Sequence, residues 1–197
     1  GGGGGDGGGG GSTPSGTVVT GTVQAPSGQI VFEKANGLFE RFTRFITTPV
    51  YAAISGLSQV PDGTQIQLGR LNATGAGFAL LATTTTNGGR YTFNLTSIGV
   101  QFSNDLIVRA QGPTGKEMRA FVTSSTVDLD PGSELGVRLV IEQITSSPGV
   151  TLSRFTLKEV NDISVALKLL TATEQLVGGI DLEATIATIR NRVNAQP

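Results

Sequence analysis

Chemistry in this chain has to be done without imidazole, thiolate or indole, because its 197 residues include no His, no Cys and no Trp. That removes the commonest general bases, thiolate nucleophiles, disulfides and zinc sites with nitrogen or sulfur ligands. What remains is oxygen chemistry. Asp128, Asp130 and Glu134 lie within Asp-Leu-Asp-Pro-Gly-Ser-Glu, close enough together to ligate Ca²⁺ through oxygens. An EF-hand loop needs more ligands at stricter spacing, however, and Asp-Pro-Gly also reads as a turn. Asp62 and Asp105 sit beside turns, where Asp is common for its own backbone hydrogen bonds, whereas glycoside hydrolysis needs two acids facing each other across a cleft. Asn72-Ala-Thr and Asn94-Leu-Thr match the glycosylation sequon, a match expected by chance in a chain this rich in Thr. No nucleophile can be paired with a base. The expectation is a non-enzymatic protein with no cofactor and no assigned metal.

Charge excludes further classes. The net charge is -1 and 15% of residues are charged, so there is no basic field for nucleic acid and no acidic block for cationic partners. No run of about 18 apolar residues exists to span a bilayer. The first eleven residues hold ten glycines and Asp6. A phosphate cradle would need a strand before such a run and a helix after it, and neither is written there. With no Met at the start and no charged-then-apolar leader, the chain reads as a processed mature form. Its glycine run resembles the tether behind the lipidated Cys of bacterial lipoproteins, which implies a lipid anchor upstream of Gly1. A linker or a disordered secreted tail reads equally well.

The elements that must position any site divide into three stretches. Residues 1–16 are a Gly-rich tail, flexible in isolation. Residues 17–150 read as β: Thr-Val-Val-Thr-Gly-Thr-Val-Gln-Ala-Pro (17–26) is β-branched, and strand-like runs follow at 64–72, 77–86, 90–95, 105–112, 118–125 and 136–144. Turn signals separate them: Pro61-Asp62-Gly63, Asn87-Gly88-Gly89, Gly112-Pro113-Thr114-Gly115 and Asp130-Pro131-Gly132. An insertion at about 32–57 breaks the series. Within it Leu38, Phe42, Phe45 and Ile46 share one face at helical spacing, which predicts a short amphipathic helix ended near Pro49. Residues 151–197 turn helical. Thr156 and Glu159 form a capping-box pattern ahead of Leu157, Val160, Ile163, Leu167 and Leu170. After Gly178-Gly179, Asp181 can cap a second helix whose stripe is Leu182, Ile186, Ile189 and Val193. The expected fold is mainly β: an antiparallel immunoglobulin-like or transthyretin-like sandwich with an inserted short helix and a C-terminal helical hairpin.

Residues 17–112 resemble the carboxypeptidase regulatory-like, or transthyretin-like, sandwich domains of secreted bacterial proteins. The matching stretches are VVTGTVQAP, VPDGTQIQL, TTTNGGRYTFNL and NDLIVRAQG, in that order. TNGGRYTFNL is the most specific, since Asn-Gly-Gly supplies the positive φ of a tight turn while Tyr91 and Phe93 alternate onto one face. The resemblance implies a non-catalytic module for stability, attachment or binding.

Function is expected in what the sandwich leaves unexplained. Gly1, Gly5, Gly7 and Gly11 have no side chains to bury, so only main-chain hydrogen bonds can order that tail, as in strand addition to a sheet edge. Leu38, Phe39, Phe42 and Phe45 offer an apolar patch, either to the end of the protein's own core or to another copy. Together they predict an extracellular subunit on a bacterial surface that polymerises head to tail into a filament. The alternative is a monomeric, lipid-anchored surface module that binds a glycan or another ligand.

Overall fold

The computed structural model describes residues 17–26, 54–55, 57–111, 116–173, 176–177 and 182–195. Outside them lie the Gly-rich tail, most of the insertion with its expected helix, the Gly112–Gly115 turn and the Asp181 cap. The described chain is β-rich, with antiparallel sheets and a few helices.

One sheet has four strands in the order β6-β5-β8-β9, all antiparallel: β5 (Gln65–Leu71), β6 (Phe78–Thr85), β8 (Leu106–Gln111) and β9 (Glu117–Phe121). A second pairing joins β1 (Val18–Thr22) to β7 (Arg90–Asn94), with Val19 opposite Phe93. Beyond Val23 the chain continues as β2 (Gln24–Pro26) against β4 (Leu57–Gln59), and β3 (Ile54–Ser55) runs parallel to β10 (Leu176–Val177). The expected strands at 64–72, 77–86, 90–95, 105–112 and 118–125 therefore form, each a little shorter than its signal. The turns at Pro61-Asp62-Gly63 and Asn87-Gly88-Gly89 form as well. Gly63, Gly88 and Gly89 take φ of 82°, 60° and 71°, values that glycine adopts without a Cβ penalty.

The larger of two core clusters among the described residues draws on both groups of strands. Val19, Ile66, Leu68, Tyr91, Phe93, Leu106, Val108 and Met118 are all buried in it. They come from alternate positions of β1, β5, β7, β8 and β9, as a pleat with one inward face requires. Tyr91 and Phe93 meet edge to face with ring centroids 5.9 Å apart. Burial of each large side chain stabilises by roughly 1.5–3 kcal/mol.

The opening strand is held on both sides. Residues 125–129 run parallel to β1, with Val127 N–H donating to Thr20 O at 2.9 Å and Leu129 N–H donating to Thr22 O at 2.8 Å. The approach is so close that a Cβ on Gly21 would stand 1.7 Å from the Val127 carbonyl oxygen. The buried Tyr91 hydroxyl donates to that same oxygen.

The expected strand at 136–144 is instead the middle of a helix, α2 (Pro131–Ser146), following the single-turn α1 (Leu95–Ile98). The Asp-Pro-Gly read as a turn is its start: Asp130 is the N-cap, accepting from Ser133 N–H, while the Ser133 hydroxyl returns a bond from Asp130 N–H. Proline at the first helical position has its φ already set and no orphan N–H. Val137, Val140 and Ile144 pack with Leu71, Ile107 and Phe121 of the four-stranded sheet, on the face opposite the main core.

Two helices join α2. α3 (Leu157–Thr173) opens with the predicted capping box: Glu159 N–H donates to Thr156 Oγ1 at 3.1 Å and Thr156 N–H to Glu159 Oε2 at 3.4 Å. In α4 (Leu182–Asn194), Leu182, Ile186 and Ile189 are buried, as their spacing requires. At the crossing of α2 and α3, a Cβ on Gly136 would lie 3.1 Å from Leu167 Cδ1. The two helices expected within residues 151–197 therefore form, and α2 adds a third from within the stretch assigned to strands.

Candidate functional site

The residues nominated for assembly, Gly1, Gly5, Gly7, Gly11, Leu38, Phe39, Phe42 and Phe45, lie outside the described residues. The nominated carboxylates are described, and each has other work. Asp128 Oδ1 accepts from Thr22 N–H at 2.9 Å and Thr22 Oγ1 at 3.0 Å, and Oδ2 accepts from Lys168 Nζ at 2.9 Å. Burial opposes its ionisation, but the bonds from Thr22 and Lys168 outweigh it and hold the carboxyl below the usual range. Asp130 is committed to the α2 cap, and burial pushes its carboxyl up.

Glu134 is fully buried. Burial pushes its carboxyl up while Arg119 and Arg138 pull it back. Arg119 Nε reaches it at 2.6 Å and Arg138 Nε at 3.5 Å. The three acids point to three different tasks, and among the described residues no three His, Cys, Asp or Glu side chains come together to hold a metal ion. Asp62 and Asp105 do not face each other as a catalytic pair would. Asp62 accepts from Gly88 N–H of the Asn87-Gly88-Gly89 turn at 2.7 Å, and Asp105 pairs with Arg70 at 2.9 Å.

Glu134 belongs to a ladder of alternating charge on the outer side of the four-stranded sheet. Arg109 stacks 3.8 Å over the Phe78 ring and bonds Gln67 at 2.7 Å. Glu117 stands between Arg109, at 3.8 Å, and Arg119, at 3.5 Å. From Glu134 the ladder continues through Arg138 to Glu183 on α4 at 2.7 Å. It ties β5, β8 and β9 to α2 and α4, so its work is structural. Spacing alone did not reveal it, since its members are scattered along the chain.

Among the described residues, two features stand out as not consumed by the fold. The first is strand β6, Phe-Ala-Leu-Leu-Ala-Thr-Thr-Thr, which terminates its sheet and pairs among the described strands with β5 alone. It carries no charge and no Pro, the residues that usually blunt an edge. The register shifts between Leu68 and Gly69, so that Leu68 faces Ala82 while Gly69 faces Leu80 and Leu81 is the extra residue. This bulge exchanges the faces. Ala82 looks into the main core, Phe78 packs with the helix-side core, and Leu80 and Leu81 are left 54% and 36% exposed. The second feature is a cleft of about 220 Å³ between the 123–128 loop, the first turns of α2 and the middle of α3. Its lining includes Asp128 and Asp130, but as members of the wall rather than as ligands.

No protein-family profile, curated protein or solved structure matches the chain. No helix among the described residues is long and apolar enough to cross a membrane.

Proposed function

We propose that this protein is a non-enzymatic structural subunit that joins copies of itself head to tail, as an extracellular fibre on a bacterial surface, through a transthyretin-like β-sandwich. The observation that carries the reading is β6: an eight-residue edge without charge or proline, bearing two adjacent exposed leucines. Such an edge is a template for another extended segment.

The occupant is the N-terminal tail of a neighbouring copy. Sixteen residues precede Thr17, and at roughly 3.3 Å per residue they reach about 50 Å when extended. Each added main-chain bond contributes about 0.5–1.5 kcal/mol, while fixing each glycine costs about 1–2 kcal/mol. Main-chain pairing alone therefore does not hold the tail. The neighbour's insertion must add apolar contact, with Phe39, Phe42 and Phe45 covering Leu80 and Leu81. A tail-to-edge contact uses different surfaces on the two copies, so it propagates as an open filament unless the rotation closes.

Light scattering and negative-stain imaging of the full chain test this. Polymers are expected for the parent, and monomers both for a variant lacking residues 1–13 and for Leu80→Lys combined with Thr83→Lys. Monomers from the parent chain at high concentration, or fibres that persist without the tail, would refute it.

A further inference from the structure

The cleft beside α3 is not needed by the assembly reading and is independent of it. Most of its hydrogen-bonding groups are neutral. Thr123, Ser124, Thr126 and Ser164 bring hydroxyls, and Asn161 brings an amide. Asn161 Oδ1 accepts from Thr123 Oγ1 at 2.7 Å, and its Nδ2 makes no hydrogen bond to another described residue. Ser164 Oγ donates to Val160 O at 3.1 Å, which leaves its lone pairs able to accept. The charges in the wall oppose one another: Asp128 is bonded to Lys168, and Asp130 lies near. An anion entering here would meet two carboxylates, and a cation would have to displace Lys168 from Asp128, since the Asp130 carboxylate is already taken by the α2 cap. A neutral molecule meets neither penalty.

Apolar surface lies alongside. Val165, 56% exposed, and the buried Leu167 flank the polar groups. At about 220 Å³ the space equals roughly seven waters, below the 300–1,000 Å³ typical of drug-sized sites and suited to one small ring. We infer that this cleft binds a single neutral sugar ring, its hydroxyls bonding Asn161 and the hydroxyl-bearing wall and its C–H face lying on Val165. The combination of hydroxyl and amide groups, carboxylates already bonded within the protein and an apolar flank is what a polyol with one apolar face requires.

Amide-resolved NMR of the full chain, in solution or by magic-angle spinning if it polymerises, provides the test. The probes are the methyl glycosides of glucose, galactose, mannose and N-acetylglucosamine, and the matching β-linked tetrasaccharides. At least one methyl glycoside should shift resonances within 123–128 and 161–168 with millimolar affinity. Shifts by tetrasaccharides as well identify a glycan as the source, and shifts by the monosaccharide alone a free sugar. Asn161→Ala should weaken binding about tenfold, the loss expected for one or two hydrogen bonds, and Ser164→Val should weaken it independently, each with an unchanged far-UV spectrum. Glu183→Gln, on α4 outside the cleft, should bind as the parent does. The proposal is overturned by an absence of shifts for every sugar, by shifts that both cleft variants leave intact, or by inorganic phosphate or glycine moving these resonances where no sugar does.

Discussion

Replacing Glu134 by Gln keeps the shape of the side chain and removes its charge, leaving Arg119 and Arg138 without the acid between them. The side chain has no solvent exposure, against 15% for Arg119 and 27% for Arg138. Removing one partner of a buried pair costs about 3–5 kcal/mol, because the other charge stays behind uncompensated. Here both arginines keep a second acid, Glu117 at 3.5 Å and Glu183 at 2.7 Å, which places the loss near about 3 kcal/mol. For a chain of this size that lowers Tm by about 6–12 °C. Urea denaturation followed by far-UV circular dichroism measures the same loss at constant temperature. Glu134→Leu combined with Arg119→Met removes both sides of the closest contact, and its stability should lie within about 1 kcal/mol of the parent, since apolar replacement of a whole buried pair is often neutral. The argument fails if Glu134→Gln costs less than about 1 kcal/mol, or if the two changes in the double variant simply add.

Gly21→Ala forces a Cβ into the Val127 carbonyl, so the 125–129 segment must leave β1. A loss of about 4 kcal/mol or more is expected by denaturation, at the upper end for a single substitution. Asp130→Ala removes the α2 cap and should cost about 1–2 kcal/mol in the same assay. Asp128 sets part of the acid limb. Its carboxyl is lowered in the folded chain, so its stabilisation is present above the unfolded value of about 3.9 and is lost as pH falls through the lower folded value. Urea midpoints between pH 6 and 3 should therefore fall less steeply for Asp128→Asn than for the parent; equal slopes would remove Asp128 from the account.

Strands β5 to β9 are readable because Gly- or Asn-bearing turns bound their β-branched and apolar runs, as at Asn87-Gly88-Gly89. The capping box at Thr156 and Glu159 and the stripe Leu182, Ile186 and Ile189 were readable for the same local reason. Helix α2 reads as a strand because Val137, Val140, Ile141 and Ile144 have β-branched side chains, although their spacing of three and four and the Asp130-Pro131 start both signal a helix. The bulge at Leu81 had no local sign: Phe-Ala-Leu-Leu-Ala alternates poorly in any register, and only pairing with β5 decides which residue is extra. The ladder from Arg109 to Glu183 and the cleft beside α3 join residues far apart in the chain, so neither could be seen before the chain was folded.

The clasp on β1 has a consequence for how the chain comes into being. Thr22 bonds Asp128, 106 positions further on, and the antiparallel partner of Val18 is Asn94. While the ribosome is still making the middle of the protein, the opening strand has neither neighbour to rest against. Its Val-Val-Thr-Gly-Thr-Val run has no partner until β7 has emerged at about residue 94 and stays open on its other side until about residue 129, so a chain interrupted before that point presents an unprotected strand edge.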